Sequence, residues 1–457
     1  MHFQQLIEAN KESLISDLQG CIRIPSVFTE DNSGHPYGQP VHDCLKYTLS
    51  VAEKLGFAVH NMDDQLGWCE YGEGEEMVAV LGHLDVVPEG DGWSVPPYEG
   101  LLKDGRIYGR GTMDDKGPTM AAIYGLYAIK QSGLPLKRRI RILFGLNEET
   151  GSADMKYYAA HGGEVPVMGF TPDGEYPVIN GEKGLVTEHF AVDYTQSGPV
   201  RLKEIWGGTA HNIVPDRAWA DLYCEDIHRK VITLLKADKV TVTETEDGVH
   251  IEATGVNAHG GTPWEGENAI GRLVKFLSRV PLSGTVQDAI LTLSAMIGME
   301  WNGESLGIAL HDEVSGDLSM NLGVIRGDNS HMEVKLNYRY PVTFTFDDCG
   351  PKVKSVMESA GFRQTFIQHK AKIYMPPESE LVQRLLKVYT DCTGLEGKPK
   401  TLGGGTYAKM MPNVLAFGPI FPGDEVREHK PDEFMELSRL MDNANILAEA
   451  MYALASE

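Results

Sequence analysis

Two spacings of apolar residues divide the chain into two kinds of sequence. In its first part, short continuous apolar runs alternate with segments of helical period. Buried strands are predicted at MVAVLGH (77–83) and RIRILFGLN (139–147), and a helix is predicted at 116–133, with Pro118 near its start and Gly133 at its end. Because a strand, a helix and a strand in this order form a parallel crossover, we predict an α/β domain around a mostly parallel, twisted sheet.

The middle of the chain has a different pattern. After Val186, apolar and polar residues alternate with period two, most clearly over 238–255 and 332–346. This alternation is typical of antiparallel strands with one solvated face, and a helix is predicted between them at 268–280. We therefore predict an inserted α+β lid domain over 187–375, built from two subdomains.

The last 80 or so residues return to the first pattern. Two consecutive prolines precede a predicted helix at 378–394, and a final apolar strand is predicted at 413–420. These elements would complete the first domain. That domain is therefore predicted to be discontinuous, with segments 1–186 and 376–457.

Charge and cysteine content exclude several classes of protein. The 41 Lys and Arg against 65 Asp and Glu give a formal net charge of -24, which repels nucleic acid and anionic membranes. The first 20 residues have the pattern of an amphipathic helix and lack the apolar core of a signal peptide, and no long apolar stretch follows. The six cysteines form no CxxC pair. We expect a cytoplasmic protein without nucleic-acid or membrane partners, disulfides or a thiolate zinc site.

A histidine and an aspartate close the first predicted strand. His83 and Asp85 in GHLDVV are two residues apart, so in extended chain their side chains point to the same side. Ligands of open α/β sheets bind at the carboxyl ends of the strands, where an imidazole can bind a metal and a carboxylate can fix its tautomer. Taken alone, the motif also fits a strand-end histidine beside a capping aspartate.

Two pairs of adjacent acids follow. Asp114 and Asp115 precede the predicted helix, and Glu148 and Glu149 follow the second strand. N-capping by one aspartate, and a solvated turn with Ser152 as helix cap, are the structural alternatives. Capping does not explain two adjacent carboxylates, whose repulsion a nearby cation would relieve. In a metal site, one glutamate can bind an ion while its neighbour takes a proton from water.

Two further candidates lie after other apolar runs. Asp173 occurs in TPDGEYP and His429 in FPGDEVREHKPDE, and each alone could belong to an ordinary loop. However, five separate segments now place His, Asp or Glu directly after a predicted buried strand. These residues without cysteine are the ligands of a hydrolytic zinc or manganese site. Two ions about 3.5–4 Å apart that share one carboxylate would suit amide hydrolysis, so we predict a two-metal hydrolase.

The motifs also resemble those of a known family. They are, in order, HLDVVPEG, GRGTMDDKGP, NEETGS, TPDGEYP, NAHGGTPWEG, NYRYP, GGGTYA and EHKPDE. In this order and at similar spacings, they make nearly the whole chain resemble the M20 metallopeptidase family, and within it the cytosolic PepV-like dipeptidases. The resemblance implies the same architecture of a catalytic α/β domain with an inserted lid.

The resemblance also implies a set of metal ligands. His83 and Asp173 would bind one ion, Glu149 and His429 the other, and Asp114 would bridge both. The cofactors would be two divalent metal ions, with Zn²⁺ favoured and Mn²⁺ or Co²⁺ as alternatives.

Further catalytic roles follow from the same motifs. Glu148 would be the general base, and Asp85 would orient His83. The Asp114–Asp115 peptide bond corresponds to a non-proline cis bond of the family. Asp115 remains the alternative to Asp114 as the bridging ligand.

In the second domain, the resemblance implies substrate contacts. His259 would reach across the cleft to stabilise the oxyanion, and Asn212 and Arg339 would bind the substrate carboxylate. The GGGT loop would bring backbone amides to the same carboxylate. Its residues are Gly403, Gly404, Gly405 and Thr406.

Two features favour a dipeptidase over other branches of the family. Asp173 stands where the desuccinylase and glutamate carboxypeptidase branches usually have Glu, and the predicted lid is larger than the lid of the dimeric branches. The resemblance therefore implies a monomer that hydrolyses dipeptides with free N- and C-termini. The alternatives are an N-acyl amino acid deacylase or desuccinylase, and a non-catalytic metal-binding protein on the same fold.

Overall fold

The α-helices of the computed structural model, which describes residues 2–456, follow the helical periods of the sequence. In chain order they are α1 Gln4–Ala9, α2 Lys11–Ile22, α3 Gln39–Lys54, α4 Lys116–Ser132, α5 Ala153–Ala160, α6 Asp226–Leu234, α7 Ala269–Leu277, α8 Thr285–Met296, α9 Gly350–Ser359, α10 Glu380–Thr393 and α11 Leu437–Ala455.

The strands, also in chain order, include many short ones. They are β1 Ala58–Met62, β2 Leu66–Tyr71, β3 Met77–His83, β4 Leu101–Lys103, β5 Arg106–Tyr108, β6 Arg139–Gly145, β7 Met168–Thr171, β8 Gly174–Glu175, β9 Ile179–Glu182, β10 Gly184–Asp193, β11 Val200–Gly207, β12 Ile213–Val214, β13 Arg217–Cys224, β14 Val240–Glu244, β15 Gly248–Thr254, β16 Ala258–His259, β17 His311–Asp312, β18 Gly316–Asp317, β19 Ser319–Gly327, β20 His331–Tyr340, β21 Arg363–Lys370, β22 Ile373–Tyr374, β23 Lys400–Leu402, β24 Val414–Ala416, β25 Pro419–Ile420 and β26 Phe434–Glu436.

Internal contacts divide the chain into two units. The first contains the residues up to Gly181, Met375–Lys400 and the residues from Thr406 onward. The second contains Glu182–Tyr374 together with the short segment Thr401–Gly405. Each unit has its own sheet, and the first is assembled from separate stretches of the chain.

The strands β1-β2-β6-β3-β7-β24-β9 are neighbours in this order in the main sheet of the first unit, which has nine strands in all. Its centre is parallel, because β3 pairs in parallel with both β6 and β7, and β24 with β7. Strands β1 and β2 are antiparallel at one edge, as a tight hairpin requires. The predicted α/β class is confirmed, and its parallel strands form the middle of a mixed sheet.

The crossover around β3 is built as its sequence predicts. Every residue of β3 is buried, which requires cover on both faces of the sheet. Helix α4 ends at Gly133 in the left-handed conformation that a glycine cap adopts. A Cβ at Gly125 would lie 3.0 Å from the carbonyl oxygen of Ala444. Glycine at this position therefore lets α4 pack closely against α11.

One antiparallel sheet extends through the second unit, in the order β14-β15-β13-β11-β19-β20-β10-β21. Strand β13 alternates exposed or half-buried residues with buried ones, as the period-two pattern predicts. Apolar residues of α7, α8 and α9 join those of the sheet in one core. Strand β20 departs from the alternation, because all its residues from Leu336 to Tyr340 are buried.

The structure corrects three local predictions. The N-terminal helix is broken at Asn10 into α1 and α2. The strand predicted to continue from β20 ends at Tyr340, before Pro341. The strand predicted at 413–420 ends at Ala416, and a separate strand, β25, begins at Pro419, a residue that has no N–H for a strand ladder. Over residues 2–456, no helix has both the length and the apolar character needed to cross a membrane.

Candidate metal centre and active site

The predicted ligands of the first unit collect at one edge of its main sheet. His83 is the last residue of β3 and pairs with Gly145 at the end of β6. Glu148 and Glu149 follow β6 in a turn, and Asp173 follows β7 in a bend. Parallel strands bring their carboxyl ends to the same edge, which is where open α/β sheets bind ligands.

Asp114 lies between two histidines that are distant in sequence. Its Oδ1 atom is 2.9 Å from Nε2 of His83, and its Oδ2 atom is 2.9 Å from Nε2 of His429. Nε2 of His429 is also 3.1 Å from Oε1 of Glu149. Each oxygen of one carboxylate therefore faces a different imidazole. This is the arrangement that a bridging carboxylate needs.

Asp173 and Glu148 complete the group on the side of His83. An Oδ2 atom of Asp173 lies 3.9 Å from Nε2 of His83. The ligand atoms of His83, Glu148 and Asp173 all lie within 4.8 Å of one another. The same limit holds for His83, Asp114 and Glu149.

Asp85 supports both the histidine and the glutamates. Its backbone oxygen is 3.0 Å from Nδ1 of His83, and its carboxylate is 3.4 Å from the same nitrogen. The two carboxylate oxygens accept the backbone N–H groups of Glu148 and Glu149, each at 3.1 Å. Asp85 is buried. It therefore links the end of β3 to the turn after β6.

The electrostatics of this edge stabilise positive charge. Burial and the neighbouring Asp114 carboxylate both raise the pKa of Asp173 and of Glu149. Burial by itself would lower the pKa of His429, but the carboxylates of Asp114 and Glu149 outweigh it and raise that pKa to about 11. For His83, likewise, burial is outweighed by Asp114 and Asp85, and the pKa rises well above its usual value. The acids thus favour positive charge, carried by protons or by metal ions.

Asp115 has a different environment from its neighbour. The peptide bond between Asp114 and Asp115 is cis, as the family resemblance implies. Oδ2 of Asp115 accepts the backbone N–H of His83 and the hydroxyl of Thr119, both at 3.0 Å. The side chain makes no capping bond to α4, so the capping interpretation of this acid is wrong. Asp115 instead holds the end of β3.

The alternative based on Ser152 is also wrong, because its side chain does not cap α5. Asp154, which the sequence reasoning missed, holds this part of the chain instead. Its carboxylate accepts the backbone N–H groups of Leu146 and Asn147 and contacts the hydroxyl of Tyr407. Burial is the main cause that raises the pKa of Asp154 to about 6. This buried acid anchors the start of the Glu148 turn.

Glu433 is a second residue that sequence reasoning missed. It is fully buried and forms an ion pair with Arg110 at 2.7 Å. Its other oxygen accepts the backbone N–H groups of Gly111, Met113 and Asp114. The loop that carries Asp114 is therefore held from within. Glu433 lies in the EHKPDE motif, but nothing local in that motif indicates a buried acid.

The second unit brings together several predicted substrate contacts. Arg339 donates from Nη1 to the carbonyl oxygen of Gly403 at 2.8 Å, and its Nη2 is 3.3 Å from Nε2 of His259. Arg339 is 4% exposed, and burial lowers its pKa to about 10. The backbone oxygen of Asn212 accepts the N–H of Gly260, next to His259.

The GGGT loop is divided between the two units. Gly404 and Gly405 follow Gly403 in the short segment that belongs to the second unit, whereas Thr406 begins the next stretch of the first. Oγ1 of Thr406 accepts the N–H of Ala408 and so caps a short 3-10 helix.

The donors of the first unit fit divalent metal ions by type, and two groups of three lie within 4.8 Å of one another. Imidazole nitrogens and carboxylate oxygens are the ligands of hydrolytic zinc and manganese sites. Asp114 offers one oxygen toward His83 and the other toward His429. A shared carboxylate with one histidine on each side matches a two-metal arrangement.

Comparison with known proteins adds an independent line of evidence. The model of the peptidase family M20/M25/M40 matches residues 79–453, which include all the predicted metal ligands. The chain is 34% identical over 469 residues to "Putative dipeptidase YtjP" of Bacillus subtilis (strain 168), with 100% of both chains covered.

Two solved structures are similar in fold. The dipeptidase Dug1p of Saccharomyces cerevisiae has a TM-score of 0.61 at 15% identity, covering 99% of this chain and 98% of its own. Human carnosine dipeptidase 1 has a TM-score of 0.58 at 15% identity, covering 99% of each chain.

Proposed function

Because this chain belongs to the M20/M25/M40 peptidase family and is a metallopeptidase, we propose that it hydrolyses the peptide bond of dipeptides with free N- and C-termini. The observation that carries the proposal is the position of Asp114 between His83 and His429, beside the acids that follow β6 and β7. The name of the Bacillus subtilis relative supports the substrate class.

We assign the metal ligands in two groups that share one residue. His83 and Asp173 would hold one ion, Glu149 and His429 the other, and Asp114 both, as the short distances among these side chains suggest. Zn²⁺ is favoured, with Mn²⁺ and Co²⁺ as alternatives. When bound, the ions would polarise the scissile carbonyl group and lower the pKa of the attacking water.

The residues of the chain would then position groups and move protons. Glu148 would take a proton from the attacking water and later give it to the leaving amine. The contact of Asp85 with the Glu148 N–H supports this role, because it fixes the backbone from which the base projects. Asp85 would also keep the His83 ring oriented.

Recognition of the substrate carboxylate is assigned to the second unit. Arg339 would bind it, with Asn212 and the loop residues Gly404, Gly405 and Thr406 contributing further donors. Nε2 of His259 faces the Arg339 guanidinium, so it would accept an N–H and leave the proton on Nδ1. That proton would be the donor to the oxyanion.

Replacing Arg339 with Ala tests carboxylate recognition. For dipeptides with a free C-terminus we expect kcat/KM to fall by about 10- to 100-fold, mainly through KM, since a hydrogen bond to a charged group contributes about 1.5–3 kcal/mol. C-terminally amidated dipeptides should be much less affected. Arg217→Ala, which removes an exposed arginine of the same unit, is the matched control. An equal loss on free and amidated substrates would remove Arg339 from this role.

A substrate panel separates the dipeptidase from its alternatives. The full chain is stripped with a chelator, reconstituted with Zn²⁺, Mn²⁺ or Co²⁺, and given dipeptides, their N-acylated forms, tripeptides and N-succinyl amino acids. We expect dipeptides to exceed the others in kcat/KM by about 100-fold or more, because a site that binds charged termini rejects substrates lacking them. Preference for acylated or succinylated amino acids would indicate a deacylase or desuccinylase. No hydrolysis with any ion would indicate a non-catalytic protein.

We further propose that the enzyme acts as a monomer in the cytoplasm. The six cysteines are free in the structure, in agreement with a reducing compartment.

A further inference from the structure

A second group of metal-ligating side chains lies in the first unit, outside the proposed active site. It consists of His35, in the connection between α2 and α3, His42 in the first turn of α3, and Asp64 in the turn between β1 and β2. We call these three residues the His-His-Asp cluster. Three separate pieces of chain therefore contribute one side chain each.

The three side chains of the cluster meet at the carboxylate of Asp64. Nδ1 of His35 is 3.1 Å from Oδ2 of Asp64, and Nδ1 of His42 is 3.3 Å from Oδ1 of the same carboxylate. The two imidazole rings are stacked, with centroids 3.6 Å apart and planes 8° apart. Asn61 fixes the carboxylate, since its Nδ2 donates to Oδ1 and its Oδ1 accepts the Asp64 N–H.

We propose that the His-His-Asp cluster binds a divalent transition-metal ion such as Zn²⁺. In a tetrahedral zinc site with bonds of about 2 Å, neighbouring donor atoms lie about 3.3 Å apart. The two nitrogen–oxygen distances match this spacing. Because an imidazole binds an ion that lies in its ring plane, the two stacked rings would rotate apart to place both Nδ1 atoms on the same ion. The three side chains are between one fifth and one third exposed, so water can fill the remaining coordination position.

Hydrogen bonding alone leaves the cluster incomplete. Nδ1 of His42 is buried, and among residues 2–456 it has no hydrogen-bond partner despite its short distance to Asp64. If both rings were protonated, two stacked positive charges would face a single carboxylate. If both were neutral, a proton on Nδ1 of His35 would donate to Oδ2 of Asp64, but Nδ1 of His42 would still lack a partner. Once the rings have rotated apart, one divalent cation would take both Nδ1 atoms and the carboxylate as ligands, which gives His42 the partner that it lacks.

Such an ion would fix the connection between α2 and α3 near the start of α3. At its other end the same connection already contacts the edge of the sheet that carries the proposed catalytic residues. The hydroxyl of Ser26 donates to the Leu84 carbonyl at 2.6 Å, and the Val86 N–H donates to the Ser26 carbonyl at 3.0 Å. These two contacts flank Asp85. The inferred role of the ion is therefore to stabilise a segment that borders the active site.

The test measures zinc bound by the full chain and by three variants, His35→Gln, His42→Gln and Asp64→Asn. After chelator treatment, each protein is equilibrated with micromolar ZnCl₂, and bound zinc is measured by mass spectrometry. We expect each variant to bind one zinc equivalent less than the unsubstituted chain. Zinc should also raise the melting temperature of each variant by less than it raises that of the unsubstituted chain. His60→Gln, an exposed histidine on β1 of the same hairpin, should bind as much zinc as the unsubstituted chain.

Melting curves in chelator show whether each variant folds, and at least one of the three must do so for the comparison. Peptidase activity should stay within about twofold in all of them, because none belongs to the proposed catalytic machinery. Equal zinc binding by the unsubstituted chain and the folded variants would overturn the proposal. Since the readout is a difference in zinc content, it does not depend on whether the proposed catalytic function is correct.

Discussion

Replacing Glu148 with Gln is expected to lower kcat by about 10²- to 10⁴-fold while both metal ions remain bound. Gln keeps the size of the side chain but cannot accept a proton, and a well-placed general base contributes a factor of this order. The five proposed ligands are unchanged, and the backbone N–H of residue 148 can still donate to Asp85. Rates and bound metal should be measured on the same preparation.

The matched control is Glu73→Gln, which changes an exposed glutamate in the connection between β2 and β3 of the same unit. It should leave both rate and metal content unchanged. If Glu148→Gln retained more than about a tenth of the activity, Glu148 would not be the base. If the Glu148→Gln variant lost metal together with activity, Glu148 would be a metal ligand and not the base. Its short distances to His83 and Asp173 would then reflect a shared ion.

Replacing Asp114 with Asn should reduce metal binding, whereas replacing Asp115 with Asn should not. Asp114→Asn is expected to lower metal affinity by more than about 100-fold and to abolish activity. Loss of a residue that only supports a ligand lowers metal affinity by about 10- to 100-fold, and loss of a ligand itself should lower it further. Its two oxygens face His83 and His429 separately, so both proposed ion positions lose a negative ligand.

Asp115→Asn should retain both ions, because its side chain keeps an oxygen that can accept the His83 N–H and the Thr119 hydroxyl. Metal content after dialysis and activity over a range of zinc concentrations measure the difference. Loss of both ions from Asp115→Asn, with retention by Asp114→Asn, would reverse the assignment of the bridging ligand.

The proposed metal-binding edge is held by buried acids that are not themselves proposed ligands. Glu433 holds three backbone N–H groups around Asp114, and Asp154 holds the residues that precede Glu148. Asp85 connects His83 with the glutamate turn. Loops that carry metal ligands must be rigid to keep their spacing, and buried carboxylates that accept several N–H groups provide that rigidity.

Much of the architecture was predictable because local patterns of apolar and polar residues specify it. Continuous apolar runs specify buried parallel strands such as β3, period-two alternation specifies half-solvated strands such as β13, and Gly133 marks the end of α4. Motifs placed directly after the strands predicted that the candidate ligands would gather at one edge, since the carboxyl ends of parallel strands lie at the same edge. These features can be read from residues that are close together in the sequence.

Other features were decided by contacts between residues far apart in the chain. Adjacent aspartates have nearly the same local sequence, yet Asp114 faces two imidazoles and Asp115 bonds to the end of β3. The burial of Arg339 at the end of β20 and the meeting of His35 with Asp64 likewise have no local signal. Periodicity determines which face of a strand or helix is apolar, whereas the partner of a buried polar group is determined only when distant segments pack together.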